Sequence, residues 1–150
     1  MHISEEKLKE VLLSSDLVTE ESFQSAKEEA MRLSQTILGV LVGRRDITEK
    51  YLTELLAPYF GAPIIDLKGE VIPDETLMLV PETYAKSKQL ILFAYDAEGR
   101  TAKLAMIDPL DYEAVEFLRA KLGGVWIETY LTTPTSLHYG LKQYKKKVGA

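Results

Sequence analysis

The sequence predicts an α+β protein in two parts. A four-helix subdomain spans residues 1–60, and a small βα subdomain spans 64–147, its three- to four-stranded sheet covered by helices on one face. Three observations carry this expectation. Apolar residues recur at helical spacing from Ile3 to Phe60. A passage punctuated by Gly61, Pro63, Gly69 and Pro73 then changes the texture. Beyond it, short apolar runs alternate with capped helical stretches in the order β-α-β-β-α-β-α.

In the first part the apolar stripes are Leu8, Val11, Leu12 and Leu13; then Phe23, Ala26 and Ala30; then Ile37, Leu38, Leu41 and Val42; then Leu52, Leu55, Leu56, Tyr59 and Phe60. Ser4, Thr19 and Thr48 read as N-caps, each followed by glutamate in the first turn, where a carboxylate suits the positive end of the helix dipole. In the second part Ile64 to Leu67 is the first strand candidate. A helix over Thr76 to Lys86 follows, broken or restarted at Pro81. Leu90–Tyr95 and Thr101–Ile107 form a hairpin around Asp96-Ala97-Glu98-Gly99. A helix from about Asp111 to Leu122 stops at Gly123-Gly124. Strand Trp126–Leu131 precedes a last helix, opened by Thr133-Pro134 and running to about Tyr144. Trp126, heading a strand, is expected in the core.

Composition narrows the function. With 150 residues, 46 % hydrophobic and 27 % charged, the chain is long enough for a packed core and ordinary for a globular protein. A net charge of −5, with no basic stripe interleaved with aromatics, argues against nucleic acid. The absence of cysteine removes thiolate metal sites and cysteine nucleophiles and fits a cytoplasmic home. No apolar run approaches the roughly 20 residues that span a bilayer, and the N-terminus lacks the features of a signal peptide, so neither export nor direct membrane insertion is expected.

The phrase "LLSSDLVTEESF" at 12–23 returns as "LVGRRDITEKYL" at 41–52, an offset of 29 residues that sets Thr19 on Thr48, Val18 on Ile47 and Phe23 on Leu52. Helix, short turn and capped helix occur twice, a duplicated hairpin. This repeat resembles a known family when taken with "YFGAPIIDL", "LVPETYAKS", "LAMIDPLDYEAVEFLRAKLGG" and "LHYGLKQY". It is similar to the N-terminal (MshEN) domain of type II secretion and type IV pilus assembly ATPases, over about Lys7 to Tyr144.

The resemblance implies a domain that precedes a hexameric ATPase motor. Some family members bind cyclic di-GMP through two tandem motifs, each opening Arg-Leu-Gly, with glycine at the tenth position and a closing Gln. Arginine can stack on and bond a guanine, and glycine lets backbone amides approach closely. Here the first copy places Lys7, Lys9, Asp16 and Ala30 at the Arg, Gly, Gly and Gln positions. The second places Thr36, Leu38, Arg45 and Tyr59, and a one-residue register change brings in Gly39. Losing one such contact costs about 1–3 kcal/mol, so loss of most of the set disfavours tight binding. No cofactor is therefore expected. If cyclic di-GMP is bound, Lys7, Lys9, Gly39 and Arg45 are its contacts.

No G-x-x-x-x-G-K-[ST] phosphate loop is present, so the chain is not expected to be an enzyme, and the motor would lie beyond Ala150 or in another chain. Asp108-Pro109-Leu110-Asp111 reads as a turn and helix cap rather than a catalytic carboxylate pair. His2 and His138 lack companions for a metal. Lys145, Lys146 and Lys147 follow the last helix as a solvated linker.

The expected role is a non-catalytic interaction domain that couples a secretion or pilus motor to inner-membrane platform proteins. Its partners would be their cytoplasmic domains and the ATPase domain, with Arg44, Arg45 and Tyr59 as contacts, placing the chain in the cytoplasm, peripheral to that membrane. The alternative is a degenerate cyclic di-GMP sensor.

Overall fold

The computed structural model describes residues 2–148, with side chains described through Lys145. The chain divides into a helical unit, Ile3–Pro58, and an α+β unit that begins at Tyr59 and also holds His2.

The helical unit is built from α1 (Glu5–Ser14), α2 (Glu20–Leu33), α3 (Ile37–Gly43) and α4 (Glu49–Phe60), the last two residues of α4 falling in the second unit. The three expected caps form. Ser4 Oγ accepts the Lys7 N–H (3.2 Å), Thr48 Oγ1 accepts the Tyr51 N–H (3.1 Å), and Thr19 and Ser22 close a reciprocal capping box. Thr36 adds a fourth, accepting the Gly39 N–H at 3.0 Å. The sequence conceals this cap because no acidic residue follows it in the first turn. In α3 the buried pair is Val40 and Leu41, not the wider stripe of Ile37, Leu38, Leu41 and Val42. A helix of seven residues makes only two turns, and Val40 and Leu41 stand 29 residues after the buried Val11 and Leu12.

The second unit comprises α5 (Asp74–Leu77), α6 (Glu82–Lys88), β1 (Leu90–Asp96), β2 (Thr101–Met106), α7 (Tyr112–Lys121), β3 (Trp126–Leu131) and α8 (Pro134–Val148). The sheet order is β1-β2-β3. The first pair is antiparallel and the second parallel, with α7 as the crossover. Leu90, Leu92, Leu104, Met106 and Leu118 are among its largest fully buried side chains. Each contributes about 1.5–3 kcal/mol by leaving water.

Several expectations are corrected. The break expected at Pro81 is present, since Pro81 bars the helical conformation at Val80 and starts α6 afresh, but the first piece is the single turn Asp74–Leu77 rather than a helix from Thr76. Ile64–Leu67 is not a strand: only Ile64 bridges to Leu131. Pro63 has no N–H to donate, and beyond Ile65 the Leu67 N–H turns to Ser136 Oγ (2.8 Å) instead of continuing the ladder. Consecutive burial of Leu90–Leu92 and of Leu104–Met106 shows both sheet faces covered at that end, where α8 crosses β1. There Gly140 admits the close approach, since a Cβ would stand 3.0 Å from Leu67 Cδ1 and 3.2 Å from Ile91 Cδ1. Helix α8 also continues past Tyr144 to Val148, which puts Lys145, Lys146 and Lys147 in its last turns rather than in a linker. Lysine favours helix, and cations suit a helix C-terminus. The side chains of Lys146 and Lys147 lie outside the described residues.

Tyr144 is buried, and its hydroxyl donates to the Val80 carbonyl at 2.8 Å. Burial, aided by the charge of Glu82, pushes its pKa from 10.0 up to about 12. Because the folded state holds the proton more tightly, the stability this group contributes is complete below pH 10 and is lost as pH climbs toward 12. Tyr144→Phe should cost about 1 kcal/mol at neutral pH. Urea unfolding followed across the alkaline range should show a shallower fall for the variant than for the parent chain.

Candidate functional site

The candidate ligand and partner residues of the first part lie on its duplicated hairpin, where the turn after α1 and the turn after α3 have the same construction. The Asp16 N–H donates to Leu13 O (3.3 Å), and the Arg45 N–H donates to Val42 O (3.0 Å). Asp16 has φ +63° and Arg45 φ +65°, the left-handed region that glycine occupies most cheaply. Val18 and Ile47 then turn inward, each 2 % exposed, and Thr19 and Thr48 cap the following helices. The two positions that the resemblance sets on the motif's second glycine thus have left-handed backbone here while holding residues with side chains.

Carboxylates surround several of the cations. Lys9 Nζ bonds Glu20 Oε1 at 2.6 Å, joining α1 to the start of α2, and this hydrogen bond, with the lysine charge, holds the Glu20 carboxyl below its usual range. Lys7 Nζ lies 3.6 Å from Glu10 Oε1. Lys27 meets Glu5 at 2.8 Å, a second tie between α1 and α2. Arg44, expected in a solvated turn or at a partner, pairs with Glu29 at 3.2 Å and anchors the end of α3 to α2. Gly39 sits in the first turn of α3, its amide held by the Thr36 cap; a Cβ there would stand 2.9 Å from Thr36 Oγ1. Arg45 is exposed on its turn. Tyr59, at the end of α4, is 39 % exposed, while the adjoining Phe60 is buried.

In the second unit Asp108 Oδ1 accepts the Leu110 N–H (3.2 Å) and Asp111 Oδ1 accepts the Ala114 N–H (3.2 Å), so this pair is a turn and a helix cap as expected. The remaining oxygen of Asp108 receives the backbone N–H of His2 at 2.9 Å, a partnership invisible at a separation of 106 residues. His138 is exposed on α8, and among the described residues no group of three or more histidines or carboxylates could hold a metal. Trp126 corrects the expectation of a core residue: it is 65 % exposed. It begins β3 on the sheet face that carries exposed Glu128, away from the buried Ile127. Alternation along one strand decides its side, and the strand's first residue reaches past the helices.

A two-unit domain of this order defines a class of module, and comparison with known proteins gives it a family. The sequence model of the MshEN domain matches residues 60–149, and the chain belongs to the MshEN domain family. It is 29 % identical over 147 residues to the type IV pilus assembly ATPase PilB of Thermus thermophilus, covering 98 % of this chain and 16 % of that protein. It is 29 % identical over 143 residues to the PilB of Myxococcus xanthus, covering 95 % of this chain and 25 % of that protein. The chain therefore spans between about a sixth and a quarter of these relatives. Among solved structures, MshE with cdg superposes with a TM-score of 0.73 at 24 % identity, covering 91 % of this chain and 97 % of that one. The N-terminal domain of XpsE superposes at 0.69 and 18 %, covering 95 % and 98 %. Among the described residues no helix is long and apolar enough to cross a membrane.

The two left-handed turns yield a stability test. A long unbranched side chain at positive φ is costlier than aspartate, whose carboxylate tolerates that region. Arg45→Gly should stabilise the chain by roughly 0.5–1 kcal/mol, and Asp16→Gly by less. Chemical denaturation midpoints read the difference.

Proposed function

We propose that this chain is the non-catalytic N-terminal interaction domain of a type II secretion or type IV pilus assembly ATPase, coupling its motor to inner-membrane platform proteins on the cytoplasmic side. The observation that supports this most is coverage. Nearly the whole chain aligns to a small fraction of two pilus assembly ATPases, while the phosphate loop an ATPase requires is absent from it. The exposed Arg45 and Tyr59 are offered as partner contacts, whereas Arg44 is engaged with Glu29.

The test is saturable binding of this chain to purified cytoplasmic domains of the platform proteins encoded with the motor, measured by biolayer interferometry. Arg45→Glu or Tyr59→Ala should weaken that binding about tenfold. If no platform domain binds, the coupling role is wrong.

A second reading, a degenerate cyclic di-GMP module, is favoured by one specific observation. Asp16 and Arg45, at the positions set on the motif's second glycine, have left-handed backbone, and a structural relative, MshE, is known with cdg. Its contacts would be Lys7, Lys9, Gly39 and Arg45. Against it, the paired carboxylates Glu10 and Glu20 lower the positive potential at the two lysines. Calorimetric titration with cyclic di-GMP should give no sub-micromolar binding. Tight binding that Lys7→Ala or Arg45→Ala weakens would establish the sensor instead.

A further inference from the structure

One groove lies within the second unit, between the end of α6 and one stripe of α8. Its volume is about 310 Å³. Ile107, Leu137 and Leu141 make an apolar floor, and Lys86, His138, Lys142 and Lys145 make its rim. Among the described residues no carboxylate lines it, in a chain whose net charge is −5. The α8 residues on the groove begin at Pro134 and recur every three or four positions through Lys145. They form one continuous face of the helix, about 16 Å long at 1.5 Å per residue.

The rim is partly neutralised on the α6 side. Lys86 is paired with Glu82 at 2.8 Å on its own helix and is half exposed. Lys142 lies 5.6 Å from the Tyr139 ring centre, a contact that leaves its charge in place. The opposite side of α8 is spent on the fold: Ser136, Gly140 and Tyr144 meet Leu67, Ile91 and Val80. On the groove face Leu137 also belongs to the core, with Ile107 and Leu141 half-buried against it, while His138, Lys142 and Lys145 are exposed. Its size is at the lower end for a small-ligand cavity, and its length exceeds what a single phosphate would need. An elongated apolar floor between cationic edges has the form that receives a helix with apolar residues three and four apart and acidic residues beside them.

We infer that the α6–α8 groove docks an acidic amphipathic helical segment of a partner protein, its apolar side chains on Leu137 and Leu141 and its carboxylates toward Lys142 and Lys145. This site lies in the α+β unit and shares no residue with the cyclic di-GMP positions or with the platform contacts proposed at Arg45 and Tyr59. Charge complementarity selects the occupant. A basic helix would meet like charge along the whole rim, and an uncharged one would gain only the floor.

The experiment uses the chain itself and a fluorescein-labelled peptide, LEELLEELLEEL, followed by fluorescence anisotropy at low salt. Binding is expected with Kd on the order of 10–100 µM, since a short peptide must be ordered as it binds. The alternating peptide LELELELELELE, of the same composition, should bind at least about fivefold more weakly, because its apolar residues do not share a helical face. The variant carrying Lys142→Glu and Lys145→Glu should lose at least about tenfold in affinity while keeping the parental circular-dichroism melt, as both side chains are exposed. Amide shifts in 1H–15N spectra should cluster at Lys86, His138 and Leu141. Equal binding of the two peptides, parental affinity of the double variant, or shifts mapping elsewhere would overturn the inference. So would displacement of the peptide by micromolar inorganic phosphate or GMP, which would make the groove a small-anion site.

Discussion

The second unit depends on one demand: from Pro63 to Val80 the chain has, apart from the single turn of α5, buried backbone groups and almost no ladder in which to pair them. Helix α8 meets that demand at successive turns. Ser136 Oγ accepts the Leu67 N–H, Gln143 takes the Ile72 N–H and donates to the Glu70 carbonyl, and Tyr144 donates to the Val80 carbonyl. Thr132 Oγ1 lies 2.6 Å from Ser136 Oγ and 2.8 Å from the Ile65 carbonyl oxygen, tying the end of β3 into the same cluster. Leu67 and Ile72 are then carried into the core beneath a helix that has glycine at its closest approach, Gly140. Among the described residues no buried side-chain polar atom is left unpaired, which is the condition for such a polar seam to stabilise rather than strain a core.

What the sequence made legible follows from the range of the interactions involved. Caps and apolar periods act within a few residues, and Ser4, Thr19, Thr48, Asp111 and Thr133 all cap helices as their positions suggest. Strand Trp126–Leu131 is bounded as expected by Gly124 and Pro134. The misjudged features depend on distant partners. Ile64–Leu67 reads as a strand by composition, yet after the Ile65 N–H has met the Leu131 carbonyl the Leu67 N–H goes to a serine 69 residues away. Trp126 reads as core by residue type, yet the face it occupies is settled by which side of the sheet the helices leave open. The α6–α8 groove was illegible for the same reason. Lys86 and Lys142 are ordinary surface lysines until two helices bring them together around Leu141.

The candidate site divides along the same line. The repeat at an offset of 29 residues predicted matching turns, and Leu12 and Leu41 are both fully buried beside them. What the repeat could not convey is that Asp16 and Arg45 would hold positive φ without glycine. Nor could it show that Lys9 and Arg44 would be drawn to Glu20 and Glu29, since nothing in a helical period specifies which surface carboxylate a long side chain meets. The duplication therefore preserves backbone shape more faithfully than charge, and the shape alone suffices to return each chain segment to a capped helix with Val18 or Ile47 tucked beneath it.

Charge is distributed unevenly between the units, and this bears on how the domain could serve more than one contact. In the helical unit the cations at Lys7, Lys9, Lys27 and Arg44 lie against carboxylates, and the exposed pairs of Lys9, Lys27 and Arg44, screened by water, mainly hold α1, α2 and α3 in register. In the α+β unit Lys142 and Lys145 on α8 stand beside apolar side chains, and among the described residues no carboxylate lines that groove. Uncompensated charge costs the folded state little at a solvated rim, but a partner's carboxylate approaching an apolar floor would feel it through less water than at an open surface. In a net acidic chain a basic stripe of this kind would favour an acidic partner at that place over the acidic remainder of the surface. Selection by repulsion elsewhere narrows the choice of docking face without requiring that face to bind tightly.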